Sequence, residues 1–528
     1  MRLPIALVCV LALSVGCGGD TGEMADAPPL EAQPSLGIDP AGATEIQPDL
    51  TQVSEELQEI YAFIDENVDD HVLNLQRWIQ QPSISNTGEG IPETAQMVKG
   101  FFDQLGCVDA RVFEMGVTEY GAQGNPVVYA DCDVGAERTV LLYWMYDTMP
   151  ITQPDLWNNP PFEGRIVEQA PFPKVMVGRG AANSKGPQIV QWNALMAAKE
   201  VTGTLPVNVI FVAEGDEERM SLGLHKFVTE NPELIDKAEA MYRFGGQSAG
   251  GRASVAGSSE GCVNFELITS GATWGRGPVY GDIHGAHKRQ TDSPAWRHIE
   301  MLESLLTEDG NGVEVEGFYE NMVPLRDEEL AYLESQAEGI DLEVAARNTG
   351  VARFMTDDPL EYLKLARYGI SWNMDGIFGG NMYGGGAGAI LPSKITAKVH
   401  IRYVPEMDGI DLANKVRAQL DKNGYEDVEM NIIGNVPYCQ VDYNTEIAGA
   451  LTKTYDIFGI PYNDPPPFET MLAGFWPAYL FNDNPVQMPL IGGGAGHGGG
   501  SHANNEYYVI EGAGRVYGIA GAEKSVIT

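Results

Sequence analysis

The sequence predicts an α/β fold, a mostly parallel sheet with covering helices, interrupted by a smaller inserted α+β unit. Three observations lead there. Short apolar runs of strand character at 127–130, 139–146, 207–213 and 240–244 are interspersed with helical periodicity at 55–78, 92–105 and 185–200. Strands and helices in alternation are the order of a parallel α/β layer. Residues 139–144 are apolar almost without a break, as a strand covered on both faces requires. The pattern then changes near Cys262, where a strand at 262–267 is followed by a helix at 294–306. A cleanly alternating strand at 396–404, a helix at 410–420 and a strand at 428–433 complete the inserted unit. The first pattern returns with a helix at 448–458 and a Gly-rich C-terminal stretch. The segment 308–381 carries helical pieces and no clear sheet pattern.

A chain of 528 residues is long enough for two domains with a sizeable interior. Hydrophobic residues at 44% are ordinary for a globular protein and argue against disorder as the default. Seventy-four acidic residues against 33 basic ones give a net charge of −41. Such a surface repels phosphate backbones, which argues against nucleic acid as a partner. A solvated acidic surface suffices to explain the charge.

The first residues read as an export signal. Arg2 supplies the positive start, and residues 3–15 form an apolar stretch too short to span a bilayer. It ends in Leu13-Ser14-Val15-Gly16-Cys17, similar to a bacterial lipoprotein cleavage box that would leave Cys17 lipidated. Cleavage after Ala25-Asp26-Ala27 is the alternative. Either reading exports the chain, and the first anchors it by lipid in the periplasm or at the cell surface. Residues 18–48 are rich in Pro, Ala, Gly and acids with almost no aromatics, which predicts a flexible tether. Beyond Cys9 and Cys17, four cysteines remain: Cys107, Cys132, Cys262 and Cys439. They allow three pairings, none with metal spacing.

In parallel sheets, ligands gather beyond the C-terminal strand ends. Here the 139–146 run leads into Asp147-Thr148, and a later one into Arg179-Gly180-Ala181-Ala182-Asn183-Ser184-Lys185-Gly186. The 207–213 run leads into Glu214-Gly215-Asp216-Glu217-Glu218. Four acids in five residues at a strand end either lie in solvent or hold a cation. Two Gly-rich runs, 384–388 and 492–496, lack the following Lys-Ser or Lys-Thr of a phosphate loop.

These segments do not stand alone. Tyr143-Trp144-Met145-Tyr146-Asp147-Thr148, Leu156-Trp157, Pro160-Pro161-Phe162-Glu163 and the Arg179 segment occur in order with Glu214 to Glu218. Gly281-Asp282-Ile283-His284-Gly285, Asp309-Gly310, Gly317-Phe318-Tyr319, Ile401-Arg402-Tyr403-Val404-Pro405 and His502-Ala503-Asn504-Asn505-Glu506 follow. The ordered set, from about residue 55 to 510, resembles metallopeptidase family twenty. That family includes carnosinases, aminoacylases, carboxypeptidase G and succinyl-diaminopimelate desuccinylases. The resemblance implies a catalytic domain over 49–262 and 441–528, with an inserted lid that dimerises over 263–440, after a signal at 1–17 and the tether at 18–48. It also implies hydrolysis of an amide bond in a peptide or N-acyl amino acid. Its two zinc ions share one carboxylate, polarise the scissile carbonyl and generate hydroxide.

Carried over residue by residue, the resemblance makes Glu217 the general base, and Glu218 and His502 metal ligands. Asp147 falls on the carboxylate that orients the first ligand. His284 falls on the lid histidine that reaches a partner subunit's active site, and Arg402 on an arginine that binds substrate carboxylate. Three ligand positions are changed: Met145 stands for the first His, Asn183 for the bridging Asp and Gly245 for the last Asp. In that family these three positions serve the same ion. Glu218 and His502, with the Asn183 amide as a weak third ligand, remain for the other. Three protein ligands and an open position make a workable zinc site. The implied cofactor is therefore one divalent ion, zinc in kind, rather than two, with an ion-free site as the other reading. The carboxylate-binding loop is degraded to Ala473-Gly474-Phe475-Trp476-Pro477, which keeps Gly474 as a substrate contact and adds two aromatics. His497 reads as loop, with a substitute ligand as its other reading. The competing function is a non-catalytic pseudo-peptidase that binds a peptide or amino acid in the old cleft. No further partner is implied beyond the substrate, a second copy through the lid, and the membrane through the lipid anchor.

Overall fold

The computed structural model describes residues 35–528, except 383, 386, 387, 463–473, 484 and the side chain of 348. The signal, Cys17, most of the tether and Ala473 therefore lie outside the described residues. From Ile38 onward the chain is one unit, and here the tether expectation is corrected. Ile38 is buried, Asp39 N–H donates to Glu511 at 2.8 Å, and Ala43–Thr44 pairs in parallel with Ala513–Gly514. One buried isoleucine and a short strand suffice to dock a segment whose average composition is that of a linker.

The central sheet has six strands, in the order Leu490–Gly493, Ala240–Phe244, Thr139–Met145, Asn208–Glu214, Val127–Cys132 and Asp109–Phe113. The first four are parallel and the last two antiparallel. Sheet, helices and inserted unit form the predicted α/β fold, with two antiparallel strands at one edge of its main sheet. Thr139–Met145, paired on both sides, is buried from Leu141 to Met145. Its continuous apolar run reflects that central position.

The helix Gly186–Thr202 lies against this sheet with eleven buried residues, too many for a one-sided stripe, because Glu55–Glu66 and the C-terminal helix Ile519–Ile527 cover its other side. It stops at Gly203, which takes the left-handed conformation with φ +82°. The helical stretch predicted over 55–78 is two helices, Glu55–Glu66 and Val68–Gln80, separated at Asn67. Cys107 and Cys132 form a disulfide, while Cys262 and Cys439 are buried thiols.

A second sheet, entirely antiparallel, has the order Ser371–Phe378, Lys394–Tyr403, Gly261–Ser270 and Glu429–Val436. Alternate residues of its two inner strands, including Val263, Phe265, Val399 and Ile401, face helices Pro294–Glu303 and Gly409–Lys422 in a core of their own. Ser371–Phe378 is a strand where the sequence suggested no sheet. As an edge strand it exposes Met374, Ile377 and Phe378, so its side chains do not show the buried-exposed alternation of a half-covered strand. A third sheet, Gly498–Gly499, Tyr507–Glu511, Phe172–Val177 and Arg165–Gln169, is antiparallel. Its first turn carries His502.

Candidate active site

Three chain segments meet at one end of the central sheet. The Asn208–Glu214 strand delivers Glu217 and Glu218 in a short 3-10 turn. Asp147, wholly buried just past the end of the neighbouring strand, accepts the backbone N–H groups of Glu217 at 3.3 Å and Glu218 at 3.0 Å. Asp147 thus holds the Glu217–Glu218 turn by its backbone. Burial, then the charges of Glu218 and Glu217, push the Asp147 carboxyl well above the usual range.

The second segment, residues 179–185, wraps around Glu506. That buried carboxylate accepts N–H from Gly180 at 3.0 Å, Ala182 at 2.9 Å and Asn183 at 2.8 Å, and the Arg179 guanidinium at 2.8 Å. Four donors on one carboxylate fix the backbone that presents Asn183. Lys185 beneath donates to the carbonyls of Trp78 and Gln81, and burial pulls its pKa down to about 7.

The third segment is the turn before Tyr507–Glu511, where His502 adopts a left-handed φ of +63°. Glu218 Oε1 lies 2.9 Å from His502 Nε2 and accepts Asn183 Nδ2 at 2.9 Å. Asn183 Nδ2 is 3.0 Å from His502 Nε2. The hydrogen bond to Glu218 raises the His502 pKa. Glu217 lines the same cleft. Burial pushes its carboxyl to about 8, with Glu218 adding to the rise and Arg243 and His502 opposing it.

The three converging groups have the spacing of ligands to one metal ion. A tetrahedral ion with bonds of about 2.0–2.1 Å separates its ligands by about 3.3 Å. The observed separations of 2.9–3.0 Å need open by only a few tenths of an ångström. Glu218 and His502 are carboxylate and imidazole donors that suit zinc. Asn183 supplies an amide, whose oxygen replaces its nitrogen at the triangle by a half-turn. Ser184 Oγ, which now donates to Asn183 Oδ1 at 3.0 Å, accepts the NH₂ group after that turn. Among the described residues no three His, Cys, Asp or Glu side chains form a metal cluster. No second ion fits. Met145 is buried in the apolar core, and Gly245 offers no donor. A Cβ there would lie 3.2 Å from the Gly493 backbone.

The cleft above these residues measures about 560 Å³ and is lined by Asn183, Glu217, Glu218, Arg243, Arg402 and Gly474, among others. Arg402 is ion-paired to Glu260. Glu260 also accepts the Gly474 N–H at 2.9 Å, so one carboxylate ties the arginine to the altered loop. Arg402 stacks on Phe475 with its guanidinium 5.0 Å from the ring centre. His284 does not reach the cleft; it is exposed on a two-stranded ribbon with Ile390–Leu391. His497 is a buried structural residue, with Nδ1 2.8 Å from the Gln247 carbonyl. His400 pairs with Asp375 at 2.8 Å.

Three participants carry no signal of their own in the sequence: Glu506, Arg243 and Glu260. Glu506 lies in the segment read for His502, and Arg243 in the segment read for Gly245. Glu260 joins the site only through tertiary contacts, with Arg402 and with the Gly474 N–H.

The protein-family model for peptidase family M20/M25/M40 matches residues 141–517. A Cys-Gly metallodipeptidase of Candida albicans is 26% identical over 425 residues, 76% of this chain and 84% of the relative. A human Beta-Ala-His dipeptidase is 26% identical over 395 residues, 69% of this chain and 71% of the relative. Among solved structures, an M20 family metallo-carboxypeptidase of Sulfolobus solfataricus is 25% identical with a TM-score of 0.72, covering 87% of this chain and 98% of that one. A dipeptidase of Saccharomyces cerevisiae shares the fold at 22% identity, with a TM-score of 0.75, 89% of this chain and 97% of that one covered. Two dipeptidase relatives and a match over more than half its length place the chain in peptidase family M20/M25/M40.

Proposed function

We propose that this chain hydrolyses the amide bond of a dipeptide or N-acyl amino acid using one divalent ion, zinc in kind. The observation that carries the proposal is the triangle of Glu218 Oε1, His502 Nε2 and the Asn183 amide, with sides of 2.9–3.0 Å, in the cleft that Glu217 also lines. Glu218, His502 and Asn183 would hold the ion. When bound, it would supply Lewis acidity toward the carbonyl and toward water. Glu217 takes the proton of the attacking water and returns it to the departing amine. Asp147 keeps Glu217 and Glu218 side by side through their backbone N–H groups. The Glu506 cradle fixes Asn183, and the Glu260–Arg402 pair fixes the loop at Gly474 that borders the substrate. The test is turnover of a dipeptide panel that includes Cys-Gly and β-Ala-His by zinc-loaded protein. Glu217→Gln is expected to abolish turnover and leave zinc content unchanged. Equal rates in the two proteins would sink the assignment.

A second reading is favoured by one observation. The Asn183 NH₂ group faces Glu218 and His502, which closes the ligand triangle with hydrogen bonds. A pseudo-peptidase that binds a peptide without turning it over would keep that arrangement, and chelator would leave its ligand affinity untouched.

Two further parts of the proposal concern context. The Cys107–Cys132 disulfide supports an exported, oxidising location, and a lipid anchor at Cys17 rests on the Leu13-to-Cys17 sequence alone. The exposed Met374, Ile377 and Phe378 on the edge strand support a homodimer through the second sheet, the setting in which His284 would meet a partner's cleft.

A further inference from the structure

The cleft holds a cation that the metal triangle does not account for. Arg243 extends from the Ala240–Phe244 strand, two residues before Gly245, and pairs in register with Gly492. It lines the cleft beside Glu217 and also the narrow hollow beneath, against Met145 and Ser184. That hollow lies among the positions whose usual ligands are missing. Among the described residues no carboxylate lies within ion-pair distance of Arg243, whereas Arg402 across the cleft is held by Glu260. The Arg243 guanidinium lies 5.0 Å from the centre of the Trp476 ring. Trp476 is itself held: its backbone N–H donates to Ser259 Oγ at 3.0 Å, and Tyr143 packs against its ring at 5.8 Å. Stacking orients a planar guanidinium without consuming its N–H groups.

We infer that Arg243 is an oxyanion-binding residue that takes over the charge role of the missing second cation. The inference rests on the hydrolase reading above. As the water oxygen bonds to the carbonyl carbon, the C=O π pair moves onto oxygen, and Arg243 donates N–H to that anionic oxygen. The water's proton passes to Glu217. When the π pair returns, the C–N bond breaks and the amine nitrogen receives the proton from Glu217, giving a carboxylic acid and an amine. An arginine suits this task because its charge is permanent and its fork reaches a tetrahedral oxygen without a coordination shell. The altered Phe475-Trp476 loop then has a function: Trp476 aims the guanidinium.

The test compares wild type with Arg243→Met and Arg243→Lys. It follows dipeptide kinetics and, by calorimetry, the affinity of a phosphinic dipeptide analogue whose anionic tetrahedral centre mimics the intermediate. Arg243→Met is expected to lose about 100- to 1000-fold in kcat, with KM within about threefold. Its phosphinate affinity should fall by a similar factor. Arg243→Lys, which keeps the charge without the stacked fork, should recover part of both and controls for folding. A wild type that turns over nothing but binds phosphinate in an Arg243-dependent way upholds the anion site and ends the hydrolase reading. Wild type and Arg243→Met with equal phosphinate affinity, or a wild type that binds none, overturns the inference.

Discussion

Asn183→Asp separates the metal-free from the metal-loaded state of this site. In the structure the Asn183 NH₂ group lies 2.9 Å from Glu218 Oε1 and 3.0 Å from His502 Nε2. An aspartate of the same shape removes that donor and puts a second carboxylate oxygen against Glu218. Two full charges at that distance would repel by about 6 kcal/mol at an effective dielectric constant of about 20. The pair relieves most of this by retaining one proton. What remains is the lost hydrogen bond to a charged acceptor, about 1.5–3 kcal/mol. In chelator, the urea midpoint of Asn183→Asp should therefore report a loss of about 2 kcal/mol. With zinc the order reverses, because a carboxylate replaces a neutral amide as ligand. Zinc affinity should rise at least about tenfold, about 1.4 kcal/mol, and saturating zinc should stabilise the variant more than the wild type. A variant as stable as wild type in chelator, with no gain from zinc, would refute the triangle as a metal site.

Three further outcomes follow from the fold and the site. Met145→His alone should cost about 1–3 kcal/mol by placing a polar ring in the apolar core that holds Met145, and metal analysis should find no second ion. Cys107→Ser opens a disulfide that spans 25 residues and should lower stability by about 3 kcal/mol in denaturant titrations. His298 is buried, and burial lowers its pKa to about 4. Its neutral form belongs to the folded state, so its contribution is complete above pH 6.5 and is lost as pH falls toward 4. Between pH 7.5 and pH 5 the loss should be about 2 kcal/mol, and His298→Gln should remove that part of the slope.

Much of the architecture was legible because burial and backbone pairing leave periodic marks. The 139–144 run, the Gly203 stop and the alternation through Val399 and Ile401 each correspond to a central strand, a helix end and a half-covered strand. Ser371–Phe378 left no such mark, since an edge strand with exposed apolar side chains has no buried face to repeat. Linker-like composition likewise concealed the docking of Ile38 and the Ala43–Thr44 strand, which depends on a few contacts with residues 511–514. In the site, Glu217, Glu218 and His502 were readable as residue types at strand ends and in a distal turn. Their convergence depends on Asp147 and Glu506 holding backbone N–H groups, which no spacing reveals. Nothing in the sequence around Arg243 marks it, and only packing shows that its guanidinium lies on Trp476, beside Met145 and Ser184.

Whether Glu218, His502 and Asn183 hold a single ion is read from elemental analysis of zinc-equilibrated, dialysed protein. One zinc per chain is expected, lost in His502→Ala and retained in Glu217→Gln. Two zinc ions per chain, or none in the wild type, would contradict that expectation.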